Sequence, residues 1–303
     1  MGKISKPLVS VIVPFYGSFD KRRLELTLES IRAQKEVNIE IVVSEQGTKP
    51  VFESVKNIEH IFSCCKLSKY FNPGLIRNAG INISSGEFLY TNDADILFLD
   101  ENYLSSLLDS LLQDENLVFY RPLMRRLPLD NFEGFNRVVL KTDIKKALSS
   151  LDYSQSFLAT IDGKHRDLKI VVKRGEEDYD KIFTTSMNNF NKYLIDSSLK
   201  GKEPIIWSEN LHCGGNFLRR RHFDLVGGYC EEFVTWGCED SDLQWKLGSY
   251  FKLKKVPEQF EVLHLDHEKT YFSSEMWKRN EGICVKRRQR GVSSAIEEDK
   301  NGR

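Results

Sequence analysis

The chain has 303 residues, with 44 Lys+Arg against 44 Asp+Glu, 40% hydrophobic and 29% charged content, and six cysteines. That length supplies core for one large domain or two small ones, the balanced charge sets up no field for nucleic acid, and no apolar run approaches the roughly 18 residues of a membrane span. The opening Met1-Gly-Lys-Ile-Ser-Lys-Pro7 has no long apolar segment behind it, which argues against a secretory signal, and the cysteines, Cys64-Cys65 among them, lack the spacing of a disulfide framework or a zinc site, so they read as buried hydrophobes of a reducing cytoplasm.

Leu8-Val-Ser-Val-Ile-Val-Pro14-Phe is a near-continuous apolar run, the pattern of a strand buried on both faces. Asp20 can cap the next helix, whose Leu24, Leu28 and Ile31 recur at helical spacing. Asn38-Ile-Glu-Ile-Val-Val reads as a second buried strand ending in Ser44-Glu45-Gln46-Gly47, and Glu59-His-Ile-Phe-Ser as a third. Pro73 opens a helix through Ile83, with Gly86 as its stop. Glu87-Phe-Leu-Tyr-Thr is the next strand and leads into Asn92-Asp93-Ala94-Asp95. Strand, helix and strand in repetition predict βαβ units, an α/β fold with a mainly parallel sheet, and residues 1–100 read as a nucleotide-binding half.

Tyr103 to Leu112 is predicted as a helix and Leu117-Val-Phe-Tyr as a strand. Residues 121–205 give no repeat and no chemistry. They read as a variable insert of loops and short elements over the sheet, with one short strand at Leu168-Lys-Ile-Val-Val-Lys and a polar stretch at Gly175-Glu-Glu-Asp-Tyr-Asp. Cys213-Gly214-Gly215-Asn216-Phe-Leu enters a strand through paired glycines, which let the backbone approach another backbone or a ligand. A short helix over 220–226 stops at Gly227-Gly228, and 241–249 reads as another. Phe260-Glu-Val-Leu is a strand ending at His264-Leu-Asp-His267. From Phe272 the chain is helical and turns basic at Lys286 to Arg290, a solvated face or a peripheral contact with anionic lipid. Residues 292–303 read as a disordered tail.

Four acidic or histidine-bearing points follow strand ends or open a helix: Glu45, Asp93/Asp95, Glu239/Asp240 and His264/His267. In open α/β sheets ligands bind beyond the carboxyl ends of the strands. Asp93 and Asp95 can turn two hard oxygen ligands toward a divalent ion that carries a phosphate, or simply serve turn chemistry. Glu239 and Asp240 at a helix start either complement the helix dipole or include a carboxylate free to take a hydroxyl proton. Trp236, before Gly237, is a wall for a sugar ring or a core residue. His264 and His267 can complete a metal site with the aspartates or be structural; two Asp and one His suit Mn²⁺.

Pro7-Leu-Val-Ser-Val-Ile-Val-Pro14-Phe-Tyr16, Leu26-Thr-Leu-Glu-Ser-Ile-Arg and Ile39-Glu-Ile-Val-Val resemble the opening of family 2 glycosyltransferases of the GT-A fold. Asn72-Pro-Gly-Leu-Ile-Arg77-Asn78-Ala-Gly80 is similar to their segment before the metal motif, and Asp93-Ala-Asp95 to their DxD. Gly214-Gly215-Asn216-Phe, Gly227-Gly228-Tyr and Trp236-Gly-Cys-Glu239-Asp240-Ser-Asp-Leu resemble the C-terminal galactosyltransferase-like region of chondroitin-polymerase and β-1,4-galactosyltransferase type enzymes. The Ser44-Glu45-Gln46-Gly47 segment departs from the usual Asp-Asp-Gly-Ser.

The resemblance implies a Rossmann-like GT-A domain, with the nucleotide-sugar half at 1–100 and the acceptor-binding and catalytic half at 101–291. Pro14, Tyr16 and Glu45 would lie around the uracil and ribose of a UDP-sugar, with Arg77 and Asn78 near the nucleotide or diphosphate. Asp95, with Asp93, would reach Mn²⁺ or Mg²⁺, and His264 or His267 would be a further ligand. Asp240 would be the base that deprotonates the acceptor hydroxyl. Glu239, with Gly215, Trp236 and Gly237, would hold the acceptor glycan. The implied reaction is inverting transfer of a hexose or N-acetylhexosamine in bacterial surface polysaccharide synthesis (capsule or lipopolysaccharide), in the cytoplasm or at the inner face of the membrane. Two alternatives are a nucleotidyltransferase that makes the sugar nucleotide, against which Phe15-Tyr-Gly-Ser-Phe-Asp offers a single glycine, and a non-catalytic glycan- or nucleotide-binding subunit.

Overall fold

A computed structural model describes residues 7–17, 19–53, 55–64, 70–127, 129–139, 144–149, 153–161, 164–172, 205–208, 211–267 and 273–302. The first half runs β1 (Leu8–Tyr16), α1 (Lys21–Arg32), β2 (Asn38–Gly47), β3 (Glu59–Cys64), α2 (Pro73–Ile83), β4 (Phe88–Thr91), β5 (Ile96–Phe98), α3 (Tyr103–Gln113) and β6 (Leu117–Tyr120). The middle holds β7 (Met124–Leu127), α4 (Leu129–Val139), α5 (Ile144–Ser149), β8 (Tyr153–Ile161), β9 (Lys164–Val172) and β10 (Ile205–Ser208). The last third holds β11 (Asn216–Arg219), α6 (Arg220–Leu225), α7 (Glu239–Gly248), β12 (Lys252–Lys255), β13 (Val262–Leu265), α8 (Ser274–Arg290) and α9 (Val292–Asn301).

A seven-stranded sheet in the order β12-β6-β11-β4-β1-β2-β3 forms the frame. β1 pairs in parallel with both β2 and β4, and only β11 runs against its neighbours. Because strand side chains alternate between faces, the continuous apolar run of β1 serves two cores. Val9, Val11, Val13 and Phe15 pack with Leu24, Leu28 and Ile31 of α1 and with α3. Ile12 points the other way, to Ile81 of α2, Phe223 of α6, Leu243 and Leu247 of α7 and Ile296 of α9. Helices therefore cover both faces, as a parallel sheet requires.

Local signals set the helix starts. Asp20 accepts a bond from Arg22 N to cap α1, and Asn72 accepts from Leu75 N ahead of Pro73 to cap α2. Gly86 is not the stop of α2. That helix ends at Ser84, and Gly86 instead lies so close to Ser10 of β1 that a Cβ would collide with it.

A small second sheet, β5-β13-β7, stands beside the first. β13 runs antiparallel to β5, with His264 opposite Ile96, and Leu265 N donates to Asp95 O at 2.9 Å. Leu26, Leu97, Leu127, Phe132, Phe135, Ala147, Leu263 and Leu265 form the core beneath it.

Three expectations are corrected. The 121–205 insert is more regular than loops: it holds α4, α5 and a third, antiparallel sheet, β10-β8-β9, in which the expected strand from Leu168 is, through Val172, the end of a longer hairpin arm. The polar stretch 175–180 and Cys65 lie outside the described residues. Residues 292–301 are helix α9 rather than a disordered tail, anchored by buried Ala295, Ile296 and Asp299. The basic run is not wholly a solvated face. Lys286, Arg288 and Arg290 are exposed, but Arg287 is 2% exposed and paired with Asp242 and Asp299. Among the described residues no helix is long and apolar enough to cross a membrane.

Candidate active site

Because β1, β2 and β4 are parallel and β11 is antiparallel to β4, their pairing gathers Pro14–Tyr16, Ser44–Gly47, Thr91–Asp95 and Gly214–Asn216 at one sheet edge. Asp93 and Asp95 leave this edge in different directions. Asp95 meets the second sheet. Its Oδ2 lies 3.4 Å from His264 Nε2 and 3.1 Å from His267 Nε2, and one ligand atom from each of the three residues falls within 4.8 Å of the others.

The orientation of His264 is fixed from behind. Its Nδ1 lies 2.7 Å from Asp266 Oδ1, and Asp266 in turn accepts from Arg126 Nε at 2.9 Å. A carboxylate behind a ligating imidazole aims the other ring nitrogen at a metal. One carboxylate and two imidazoles, crowded on a single oxygen, fit a transition ion such as Mn²⁺ better than Mg²⁺, which prefers oxygen. With no ion bound, burial disfavours the charged form of His264, but Asp95 and Asp266 outweigh it and raise its pKa to about 9.

Asp93 does not join that triad. Its Oδ1 accepts from Arg77 Nη2 at 2.5 Å, and its Oδ2 lies 3.0 Å from His212 Nε2. Burial pushes its pKa up, but Arg77 and His212 prevail and bring it down to about 2. Gly214 lets the backbone come close here: a Cβ would stand 2.9 Å from Arg77 Nη2 and 3.1 Å from Asp93 Oδ2.

Arg77, on α2 and 2% exposed, joins two halves of the site. Beyond Asp93 its Nη1 lies 3.5 Å from both Glu239 Oε1 and Asp240 Oδ1. Burial works against its charge, but Asp240 and Asp93 hold it firmly protonated. Helix α7 begins at Glu239, two residues earlier than its apolar spacing suggests, behind Cys238 in a left-handed conformation (φ 77). Both acids are buried in its first turn. A helix N-terminus lowers a carboxylate's proton affinity, whereas burial raises it. Burial wins. Desolvation, followed by repulsion from Asp240 and against the pull of Arg77, brings Glu239 up to about 8. Asp240 is raised as well, by burial first, with Arg77 opposing. Tyr229 OH reaches Asp240 Oδ1 at 3.3 Å, and burial next to Asp240 keeps this phenol protonated.

The other expected site residues make the following contacts. Glu45 is fully buried: Val51 N (2.7 Å) and Phe52 N (3.2 Å) donate to it, and His60 Nε2 lies at 2.9 Å. It clamps the loop after β2. Asn78 is buried and ties α2 to the Tyr229 backbone and to Glu231. Gly215 packs against Pro122 and His212, so its close approach is to the protein itself. Pro14 is buried in β1, and Tyr16 at the strand end lies against Phe71, ring centroids 5.4 Å apart. Trp236 is 61% exposed, which removes the core reading, and Gly237 follows it at φ 107. Sequence reasoning missed His212, Tyr229 and Asp266. His212 has one signal, its place two residues before the paired glycines.

Comparisons with known proteins match two stretches of the chain. Residues 10–153 match glycosyl transferase family 2, and residues 199–267 match the N-terminal domain of galactosyltransferase. The chain thus carries a GT-A domain of glycosyl transferase family 2 joined to a galactosyltransferase-type segment. An uncharacterized glycosyltransferase of Rickettsia bellii is 31% identical over 130 residues, covering 39% of this chain and 17% of that protein. The structure of GalNAc-T7 with UDP, GalNAc and Mn²⁺ superposes with a TM-score of 0.55 at 14% identity, over 94% of this chain and 48% of that one. A mannosyltransferase of Pyrobaculum calidifontis with GDP-Man and Mn²⁺ gives 0.47 at 13% identity, over 88% and 59%. The chain spans less than a fifth of the curated relative's length.

Proposed function

We propose that this chain is a metal-dependent, inverting glycosyltransferase that moves a hexose or N-acetylhexosamine from a UDP-sugar to a glycan hydroxyl. The observation that carries this reading is the divided site: a metal-type triad, Asp95, His264 and His267, on one side, and a buried carboxylate pair of raised proton affinity on the other, with Arg77 and Asp93 between them. GalNAc-T7, similar in fold, was solved with UDP and Mn²⁺, which supports the choice of donor and ion.

Asp95, His264 and His267 would hold Mn²⁺, which when bound neutralises charge on the diphosphate leaving group. Asp240 takes the proton of the attacking hydroxyl. Its raised affinity suits that task, and Arg77 keeps it ionised enough to act. Glu239, with a pKa of about 8, carries its proton near neutrality and so donates a hydrogen bond to an acceptor oxygen. Trp236 offers an apolar wall to a sugar ring. In-line attack inverts the anomeric carbon and needs no protein nucleophile. The same reading places the reaction in the cytoplasm, in bacterial surface-polysaccharide synthesis.

UDP release from a panel of UDP-sugars with Mn²⁺ and mixed glycan acceptors tests the proposal. Asp240→Asn should abolish transfer and leave UDP binding intact. An active Asp240→Asn enzyme removes Asp240 from the role of base, and absence of UDP release from every donor overturns the activity.

A further inference from the structure

Helix α8 reaches back to the loop that precedes the carboxylate pair. Its Trp277 lies against Trp236, ring centroids 5.3 Å apart and planes 28° from parallel. Gly237 makes the contact possible: at φ 107 it sits where a Cβ would enter the Trp277 ring. One turn on, buried Asn280 donates to Val234 O (2.9 Å) and Gly237 O (3.1 Å), and Arg279 donates to Glu232 O (2.9 Å). From the other side Thr235 N donates to Phe71 O at 2.6 Å.

Within this loop two residues that are not glycine, Thr235 (φ 61) and Cys238 (φ 77), adopt left-handed backbone. Such strain persists only where surroundings impose it, and it gathers at functional sites. The result of all this bracing is a tryptophan held rigid with 61% of its surface in solvent. A folded chain gains nothing from ordering a large exposed indole, whereas a ligand gains from finding it already ordered. The ligand chemistry follows from the neighbours. An indole face suits the C–H face of a pyranose ring, and hydroxyls on the ring edge suit the carboxyl groups three and four residues on.

We propose that Trp277 and Asn280 of α8 are positioning residues of the acceptor subsite, holding Trp236 as one half of a two-indole platform for a saccharide. This rests on the glycosyltransferase reading. Helix α8 is thereby part of the acceptor half rather than an appendage to the fold.

The test uses full-length protein, saturating UDP with Mn²⁺, and the methyl β-glycosides of glucose, galactose, N-acetylglucosamine and N-acetylgalactosamine as probes, read by saturation-transfer NMR, with UDP affinity measured by calorimetry. At least one glycoside should contact the wild type through its ring C–H protons. Trp277→Ala should weaken that contact about tenfold, while Trp277→Phe, which keeps a ring, stays within about threefold. UDP affinity should be unchanged in both. Trp277→Leu keeps apolar volume beside Gly237 without a ring and carries the same expectation as Trp277→Ala if that variant is unstable. Equal saccharide contact in wild type, Trp277→Ala and Trp277→Leu overturns the platform, as does UDP binding with no glycoside contact in the wild type. Failure of the wild type to bind UDP overturns the glycosyltransferase reading instead.

Discussion

Arg287 grips Asp242 through two parallel bonds, Nε to Oδ1 and Nη2 to Oδ2, each 3.0 Å, with both side chains buried. Arg287 lies on α8 and Asp242 in the first turn of α7, two residues past Asp240. Asp299 of α9 completes the cluster by accepting from Arg287 Nη2 (2.7 Å) and from fully buried Lys246. Removing one partner of such a pair strands a buried charge, at a cost of about 3–5 kcal/mol. Arg287→Met should therefore lower the unfolding free energy by an amount of that order, read as a lower chemical-denaturation midpoint. Asp242→Leu combined with Arg287→Met should recover part of the loss, a coupling that a double-mutant cycle reads directly.

Stability should fall with rising pH because of Glu239. Its folded pKa of about 8 stands above the ordinary 4.5, through burial and the nearness of Asp240. Between those values the folded chain holds a proton that the unfolded chain has lost, so unfolding releases it and each step up in pH favours the unfolded state. Glu239→Gln removes the term. Denaturation of both proteins from about pH 5 to about pH 9 should show the variant gaining on wild type up to about pH 8 and then running parallel. Parallel curves throughout would mean that Glu239 ionises in the ordinary range.

The frame was legible because burial writes itself into sequence. β1 is covered on both faces, so it is apolar without interruption, and α2 announces itself by Asn72-Pro73. The insert was less legible, yet Asp162-Gly163 lies between β8 and β9 and is a hairpin signature in its own right. Helix α9 was hidden because its apolar anchor is only Ala295 and Ile296 and the rest is ionic: Asp299 in a polar stretch looks solvated until Lys246 and Arg287 are brought to it. The same holds within the site. Spacing placed Asp93 and Asp95 together, but only the pairing of β13 with β5 sends Asp95 to the histidines, and only the turn at 212–215 brings His212 to Asp93.

Mn²⁺ affinity should rise with pH. A metal needs His264 neutral, whereas in the ion-free site it holds its proton up to about pH 9. Affinity by calorimetry should increase about tenfold per pH unit below that value, with one proton released to buffer. The same proton gives the ion-free protein stability that is fully present below the ordinary 6.5 and is lost as pH rises through about 9. His264→Ala and Asp95→Ala should each abolish binding. Asp93→Asn, outside the triad, should retain it, and loss there would return Asp93 to the ligand set.

Glu45 offers the sharpest separation of scaffold from site. Its two oxygens accept from Val51 N and Phe52 N and meet His60, all within the protein. Glu45→Ala leaves two backbone donors without their carboxylate, a loss of about 1–3 kcal/mol. The melting temperature should drop accordingly. UDP affinity, measured well below the new transition, should stay within about threefold of wild type, a change under 1 kcal/mol. The opposite pattern, an unchanged transition with UDP affinity lost, would put Glu45 against the nucleotide, because a carboxylate that only clamps a loop has no means of weakening the ligand without first loosening the fold.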